Sequence, residues 1–136
     1  MTRRFVTERR EGAFAITLME GRSSVARLGA IRGGAGALRD GPAVMRVARI
    51  DVVPGSRRQG VATALYERAA RLACREHCAP LASDFSRTPA SDTFWRKQYV
   101  KRRATCYRRR EQHCEQYVFA CPAPASLAGR RRKVQR

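Results

Sequence analysis

The sequence predicts an α/β domain, a mixed and mostly antiparallel sheet with flanking helices. Three observations predict it. A β-branched apolar run ends at Val53, breaks at Pro54-Gly55 and gives way to apolar residues at Val61, Leu65, Ala69 and Leu72. That is a strand, a tight turn and a helix N-terminus in immediate succession. Ahead of it, residues 14–20 and 25–31 flank Gly21-Arg22-Ser23-Ser24 in the pattern of a β-hairpin. Behind it, residues 104–109 and 116–121 read as a last antiparallel pair.

Taken in order, residues 1–12 are basic and weakly patterned, and the hairpin follows. Residues 33–43 are a loop by glycine and proline content. The strand over 44–53 has apolar residues on both faces, which suits a central strand covered on both sides. The longest helix runs from Val61 to about Cys78. Val61, Leu65, Ala69, Leu72 and Ala73 form its buried stripe, and Glu67, Arg71 and Arg75 its wet face. Leu81-Ala82-Ser83 after Pro80 reads as a short strand and residues 84–89 as a loop. Ser91 or Asp92 is placed to cap a helix reaching about Tyr99. The fold ends at Pro122-Ala123-Pro124, giving one domain over 1–121 and a basic, disordered tail over 122–136. The order is β-β-β-α-β-α-β-β, with no internal repeat.

A chain of 136 residues is long enough to bury a core without metal or disulfide. The 29 basic residues against 11 acids give a net charge of +18, which points to a polyanionic partner, an anionic cofactor or both. No stretch approaches the ~20 apolar residues of a transmembrane helix. Met1-Thr2-Arg3-Arg4 carries charge with no apolar segment after it, so it is not a signal peptide. The expectation is a cytoplasmic protein with no membrane contact and five reduced cysteines. There is no Cys-x-x-Cys pair, and no metal site is expected.

The stretch from Ile50 to Tyr66 carries the chemistry. The first turn of a helix has amide N–H groups without intrahelical acceptors and a partly positive dipole end, so phosphate is its natural partner. Gly60 lacks a Cβ and Ala62 has only a methyl, which lets a bulky anion approach the backbone. Arg57 and Arg58 add charge beside it. The competing reading is an ordinary βα turn. A nucleotide P-loop is excluded because no Gly-Lys-Ser/Thr follows. A dinucleotide fingerprint fails for want of the earlier glycines.

Arg57-x-x-Gly60-x-Ala62, preceded by Val52-x-Pro54 on a strand, resembles the pyrophosphate-binding signature of the GNAT acetyltransferase superfamily. The resemblance covers about residues 13–121, with its specific part in 50–99. It implies the GNAT fold, with the sheet splayed between its central strands, here 44–53 and 81–83. It also implies that the N-terminal portion is cut short, since the family's first strand and two helices precede the hairpin.

Acetyl-CoA is the implied acyl donor. Its pantetheine arm is expected beside Asp51, Val52 and Val53, bonding like an added strand. Arg57, Arg58, Gln59, Gly60, Val61, Ala62 and Thr63 are expected around the pyrophosphate, with the Val53 N–H as a candidate to polarise the acetyl carbonyl. The implied reaction is direct attack of a neutral primary amine on the thioester, which needs a base and uses an acid for the thiolate. Asp51 and Asp84 are the candidate bases. A salt bridge to Arg49 or Arg57 competes for Asp51, and a turn cap for Asp84.

Residues 90–99 resemble the family's Ala-x-x-Phe-Tyr-x-Lys helix, and the tyrosine position holds Trp95. Trp95 is a candidate cofactor contact. Tyr99, one turn on, is the candidate acid, unless the thiolate leaves unassisted. Basic residues between Arg96 and Arg110, interleaved with Tyr99 and Tyr107, suit the CoA 3′-phosphate or a nucleic-acid backbone. The alternatives to an acetyltransferase are therefore a GNAT-like protein acting on nucleic acid or tRNA, and a non-catalytic nucleic-acid-binding module. The family often dimerises, and the acceptor amine has no readable code.

Overall fold

A computed structural model describes residues 2–37, 41–57 and 59–121. Seven strands form one sheet in the order β1-β2-β3-β4-β5-β7-β6. These are β1 (Arg3–Arg10), β2 (Ala13–Glu20), β3 (Ser23–Gly34), β4 (Ala43–Val52), β5 (Leu81–Ala82), β6 (Ala104–Arg110) and β7 (His113–Phe119). Helix α1 (Val61–His77) joins β4 to β5, and α2 (Pro89–Val100) joins β5 to β6. Only β4 and β5 run parallel; every other neighbouring pair is antiparallel.

Residues 1–12 hold the first correction, because they form an edge strand. Its sequence is charged, yet it alternates. Phe5 lies opposite Leu18 and Thr7 opposite Ile16 on the covered face. There the Arg68 guanidinium sits 4.5 Å from the Phe5 ring, and Arg9 pairs with Glu76 of α1 at 2.7 Å. The strand is thus held by guanidinium contacts to a helix, which leave little hydrophobic signature. Strand β1 passes directly into β2 through a turn at Glu11-Gly12.

One core cluster runs under both helices. Phe14, Ile16 and Leu18 of β2 and Leu28 of β3 meet Leu65, Tyr66, Ala69 and Leu72 of α1, and the cluster continues to Trp95, Tyr117 and Phe119. A second, small cluster of Ala35, Val44 and Ala82 lies beside Tyr107 and Val118. The central strand β4 is therefore not covered along its whole length, contrary to the sequence expectation. Val44, Met45 and Val47 are buried, whereas Arg49 and Asp51 stand exposed on the face away from α1.

The cap of α2 also differs from expectation. Thr88 accepts the Ser91 N–H through its side chain at 3.2 Å, with Pro89 at the first helical position. Pro89 needs no N–H there, so the helix starts earlier than Ser91. The segment 122–136, expected as a disordered tail, lies outside the described residues, as does Arg58. No helix among the described residues is long and apolar enough to cross a membrane.

Candidate acyl-donor site

The expected phosphate cradle lies between β4 and α1. Pro54–Ser56 forms one 3-10 turn, held by the Ser56 N–H donating to the Val53 carbonyl at 2.9 Å. Gly60 then caps α1 with φ of +74° and ψ of 10°, a left-handed conformation that a glycine adopts without cost. A Cβ built on Gly60 meets nothing within 4 Å, so the space in front of the residue is open. No side chain caps the helix, and no acid stands in its first turn. The first-turn amides, Val61 to Thr63, keep their unused donors at the positive end of a 17-residue helix. Gln59 is fixed from two sides, donating to the Gly55 carbonyl at 3.3 Å and accepting from Arg3 of β1 at 2.8 Å.

The sheet opens beside this loop. Among the described residues, strand β4 pairs with β5 only through Met45–Leu81 and Arg46–Ala82, and beyond Arg46 that edge has no strand partner. The Val53 N–H donates to the Val25 carbonyl of β3 at 3.0 Å. That overturns Val53 as the amide which polarises the acetyl carbonyl. Antiparallel strands alternate the direction of their backbone groups. With Val53 and Asp51 turned toward β3, the amides and carbonyls of Ile50 and Val52 turn toward the gap. The Arg57 side chain donates to the Val52 carbonyl at 3.2 Å, reaching back across the mouth of the opening.

The candidate carboxylates are both engaged. Asp51 pairs with Arg49 at 2.6 Å, with both side chains more than half exposed. Asp84 accepts from Arg46 at 3.1 Å and from the Phe85 N–H at 2.8 Å through the same oxygen, with much less exposure. The Arg46–Asp84 pair thus ties β4 to the loop after β5 where the two strands part. The two aspartates lie on different elements, and only Asp51 is on the exposed stretch of β4 that borders the gap.

Trp95 is wholly buried, against Tyr66, Tyr117 and Phe119, so it is a core residue and not a cofactor contact. An indole of that size fills the layer between α1, α2 and β7 and leaves no face open. Tyr99 is 37% exposed. Its ring lies 5.9 Å from Tyr117 and beneath the Arg109 guanidinium at 5.4 Å. The phenol beside Trp95 is instead Tyr66. It stacks on Phe94 at 4.0 Å and shares a 3.3 Å hydrogen bond with Ser91. Burial raises the Tyr66 phenol above its ordinary range, and the Ser91 bond offsets part of that rise.

Arg87 carries no recognisable motif. Its side chain is 3% exposed. It donates to Asp92 at 3.0 Å, to the Ser83 hydroxyl and the Asp84 and Glu115 carbonyls at 3.1–3.3 Å, and to the Cys114 carbonyl at 2.7 Å. The Ser83 hydroxyl in turn accepts from the Tyr117 N–H at 3.0 Å. Together they fix the far wall of the gap to β7. Nothing local marks Arg87 in the sequence, because its acceptors are carbonyls that only the fold brings together.

The cysteines are not all reduced thiols. Cys74 is bonded to Cys121 and Cys106 to Cys114, with Cα separations of 5.7 and 5.8 Å, while Cys78 is free and exposed. Both separations fall in the ordinary range for a disulfide. Cys106 and Cys114 sit on paired strands, and Cys121 follows β7 to a point beside α1, so the fold itself brings each pair together.

No protein-family model and no curated protein matches the sequence. Solved structures do match. AAC(6')-Iy in complex with the bisubstrate analogue CoA-S-monomethyl-acetylneamine is 21% identical with a TM-score of 0.52, over 75% of this chain and 72% of that one. The aminoglycoside acetyltransferase HMB0005, from an uncultured soil metagenomic sample, is 19% identical with a TM-score of 0.52, over 85% of this chain and 68% of that one. The chain has the GNAT fold. The mostly antiparallel sheet, parted between its parallel strands and flanked by two helices, is the architecture expected from the 50–66 stretch.

Proposed function

We propose that the protein is an acyl-CoA-dependent N-acetyltransferase that moves an acetyl group from acetyl-CoA to a primary amine. The carrying observation is the gap between β4 and β5, which opens onto the uncapped N-terminus of α1 with Gly60 in a left-handed conformation. The residues suit CoA in two respects. Space stands open before Gly60 where a Cβ would project, and the Ile50 backbone groups and the Val52 N–H face the gap, ready to bond an extended amide chain. The amides of Val61, Ala62 and Thr63, with Gln59, Gly60 and Arg57, hold the pyrophosphate; Arg58 belongs to the same loop by sequence.

Acetyl-CoA supplies the activated acetyl thioester. Ile50 and Val52 orient the arm, and the Val52 N–H is the donor for the acetyl carbonyl. Asp51 takes the amine proton. Tyr99 remains the proposed acid for the thiolate. The solved acetyltransferases of the same fold support this reading.

Calorimetric titration with acetyl-CoA tests it, with desulfo-CoA as a control and thiol release measured over a panel of amines. Saturable binding that persists at high salt, followed by amine-dependent thiol release, is the expected result. No acetyl-CoA binding by folded protein overturns it.

A further inference from the structure

The cations of the segment after the donor site take no part in the proposed reaction, which draws only on Tyr99 there. Between Thr93 and Arg110 the chain carries eight cations and no carboxylate. The structure gathers them on the last turns of α2, the turn at residues 101–103 and strand β6. Strand β6 is the last in the sheet order, so its outer side has no strand partner among the described residues. Lys97, Lys101, Arg102, Arg103, Arg109 and Arg110 are all exposed. Arg96, Lys97 and Lys101, with Thr93 and Val100, line a shallow depression of about 320 Å³ on the outer side of α2. Val100 lies in it 78% exposed. Arg109 covers the half-exposed Tyr99 ring at 5.4 Å, and Arg108 lies over Tyr107 at 5.3 Å.

We infer that this ridge is a docking surface for single-stranded nucleic acid. Eight cations with no carboxylate among them suit a polyanion, and binding then releases counterions. The choice of nucleic acid rests on the planar groups. Guanidinium groups over the Tyr99 and Tyr107 rings, at 5.4 and 5.3 Å from their centroids, set planar groups side by side on which unpaired bases can stack. A lipid surface instead needs a broad apolar face to insert, and among the described residues the ridge exposes Val100 and part of Tyr99. At ~3.3 Å per residue, β6 spans roughly 23 Å, enough for three or four nucleotides.

The test is fluorescence anisotropy of the full chain with labelled single-stranded RNA and DNA of one mixed sequence, at about 50 and about 200 mM salt. The ridge variant is Lys97→Gln/Lys101→Gln/Arg102→Gln/Arg103→Gln. A charge-matched control, Arg10→Gln/Arg22→Gln/Arg71→Gln/Arg75→Gln, removes four exposed cations elsewhere. Far-UV circular dichroism confirms that both fold. The ridge variant should bind at least about tenfold more weakly at the lower salt, with the control within about threefold. Its salt slope should fall by about 3, since each lost contact to a single strand removes about 0.7.

Equal losses in both variants overturn the inference, because the net charge alone then binds. So does unchanged binding by the ridge variant, which would place the contact in the basic residues beyond 121. Tighter binding to duplex DNA, to phosphatidylserine vesicles or to polyglutamate than to the single strands also overturns it. The readout does not depend on acetyl transfer, so it stands or falls separately from the proposed reaction.

Discussion

Gly60→Glu separates the cradle from an ordinary turn. Gly60 holds φ of +74°, where an L-residue costs about 1–2 kcal/mol. Part of that is offset because the substituted unfolded chain is less flexible, leaving a net loss of about 1 kcal/mol. In a chain of this size that lowers Tm by about 3–5 °C. No further clash is added, because nothing lies within 4 Å of the new Cβ. The variant therefore folds. Binding is different. The carboxylate enters the open space before Gly60, where it would meet the pyrophosphate's charge. At an effective dielectric of about 40, a like-charge pair taken at about 5 Å repels by about 1.7 kcal/mol, so two such pairs would weaken binding by about 3 kcal/mol, or about a hundredfold. Gly60→Ala carries the same backbone strain without the charge and should lose far less affinity for the same fall in Tm. Calorimetry with acetyl-CoA well below the variant's Tm measures this. A Glu variant with the expected small Tm change and a Kd within about threefold of wild type refutes the cradle.

Arg87→Met should destabilise by about 3 kcal/mol or more, since it strips a buried hub from Asp92 and three carbonyls, and Arg87→Lys should recover little of that; urea midpoints decide it, and a change under about 0.5 kcal/mol refutes the assignment. Glu76, beside Arg9, has its carboxyl held below the ordinary value by the hydrogen bond and charge of that guanidinium. Its stabilising effect is present above the unfolded pKa and is lost as pH falls through the folded one, so Glu76→Gln should lower Tm at neutral pH and the difference should shrink as pH falls below the ordinary carboxylate range; an equal difference at neutral and acid pH argues against it. Alkylation and mass spectrometry should label only Cys78 before reduction, and all five cysteines after reduction and denaturation. With a sequence separation of 47, the Cys74–Cys121 bond should contribute about 4 kcal/mol by loop closure, against about 2.5 for Cys106–Cys114 with a separation of 8, so Cys74→Ser should be the more damaging variant.

What the sequence made legible was periodic or confined to one turn. The α1 stripe, the 50–66 stretch and the two hairpins each follow a short period, and each is present, although β3 begins two residues into the expected turn and β7 runs from His113 to Phe119 where 116–121 was expected. Strand β1 was not legible because its covered face carries Phe5 and Thr7 with Arg9, a cation where the pattern asks for an apolar residue. Tyr66 lies one residue off the α1 stripe, and it is buried only because α2 closes over it through Phe94 and Trp95. The direction of the Val53 amide depends on strand register, which a bulge at Gly29/Ala30 resets and no local pattern records. The disulfides needed the tertiary fold, since Cys74 and Cys121 share no element.

The proposed base follows from the same alternation that turns the Val53 amide away. Side chains in a strand alternate faces, so Asp51 lies opposite to Ile50 and Val52, which pack toward the covered core. Asp51 is thus on the face where neither described helix sits, and an amine arriving from that side meets it at the edge of the gap. Its pairing with Arg49, at side-chain exposures of 60% and 80%, is a surface contact that costs little to rearrange. Asp84 is held by Arg46 and the Phe85 amide and is already committed to tying β4 to the loop after β5. Removing the base should lower kcat by about a hundredfold or more while leaving KM for acetyl-CoA near wild type. Asp51→Asn is expected to show that split. Asp84→Asn is expected to lower Tm with a much smaller effect on kcat. If Asp84→Asn carries the kcat loss and Asp51→Asn does not, the base belongs on the other wall of the gap, and the amine enters past Arg46 instead of across the open face of β4.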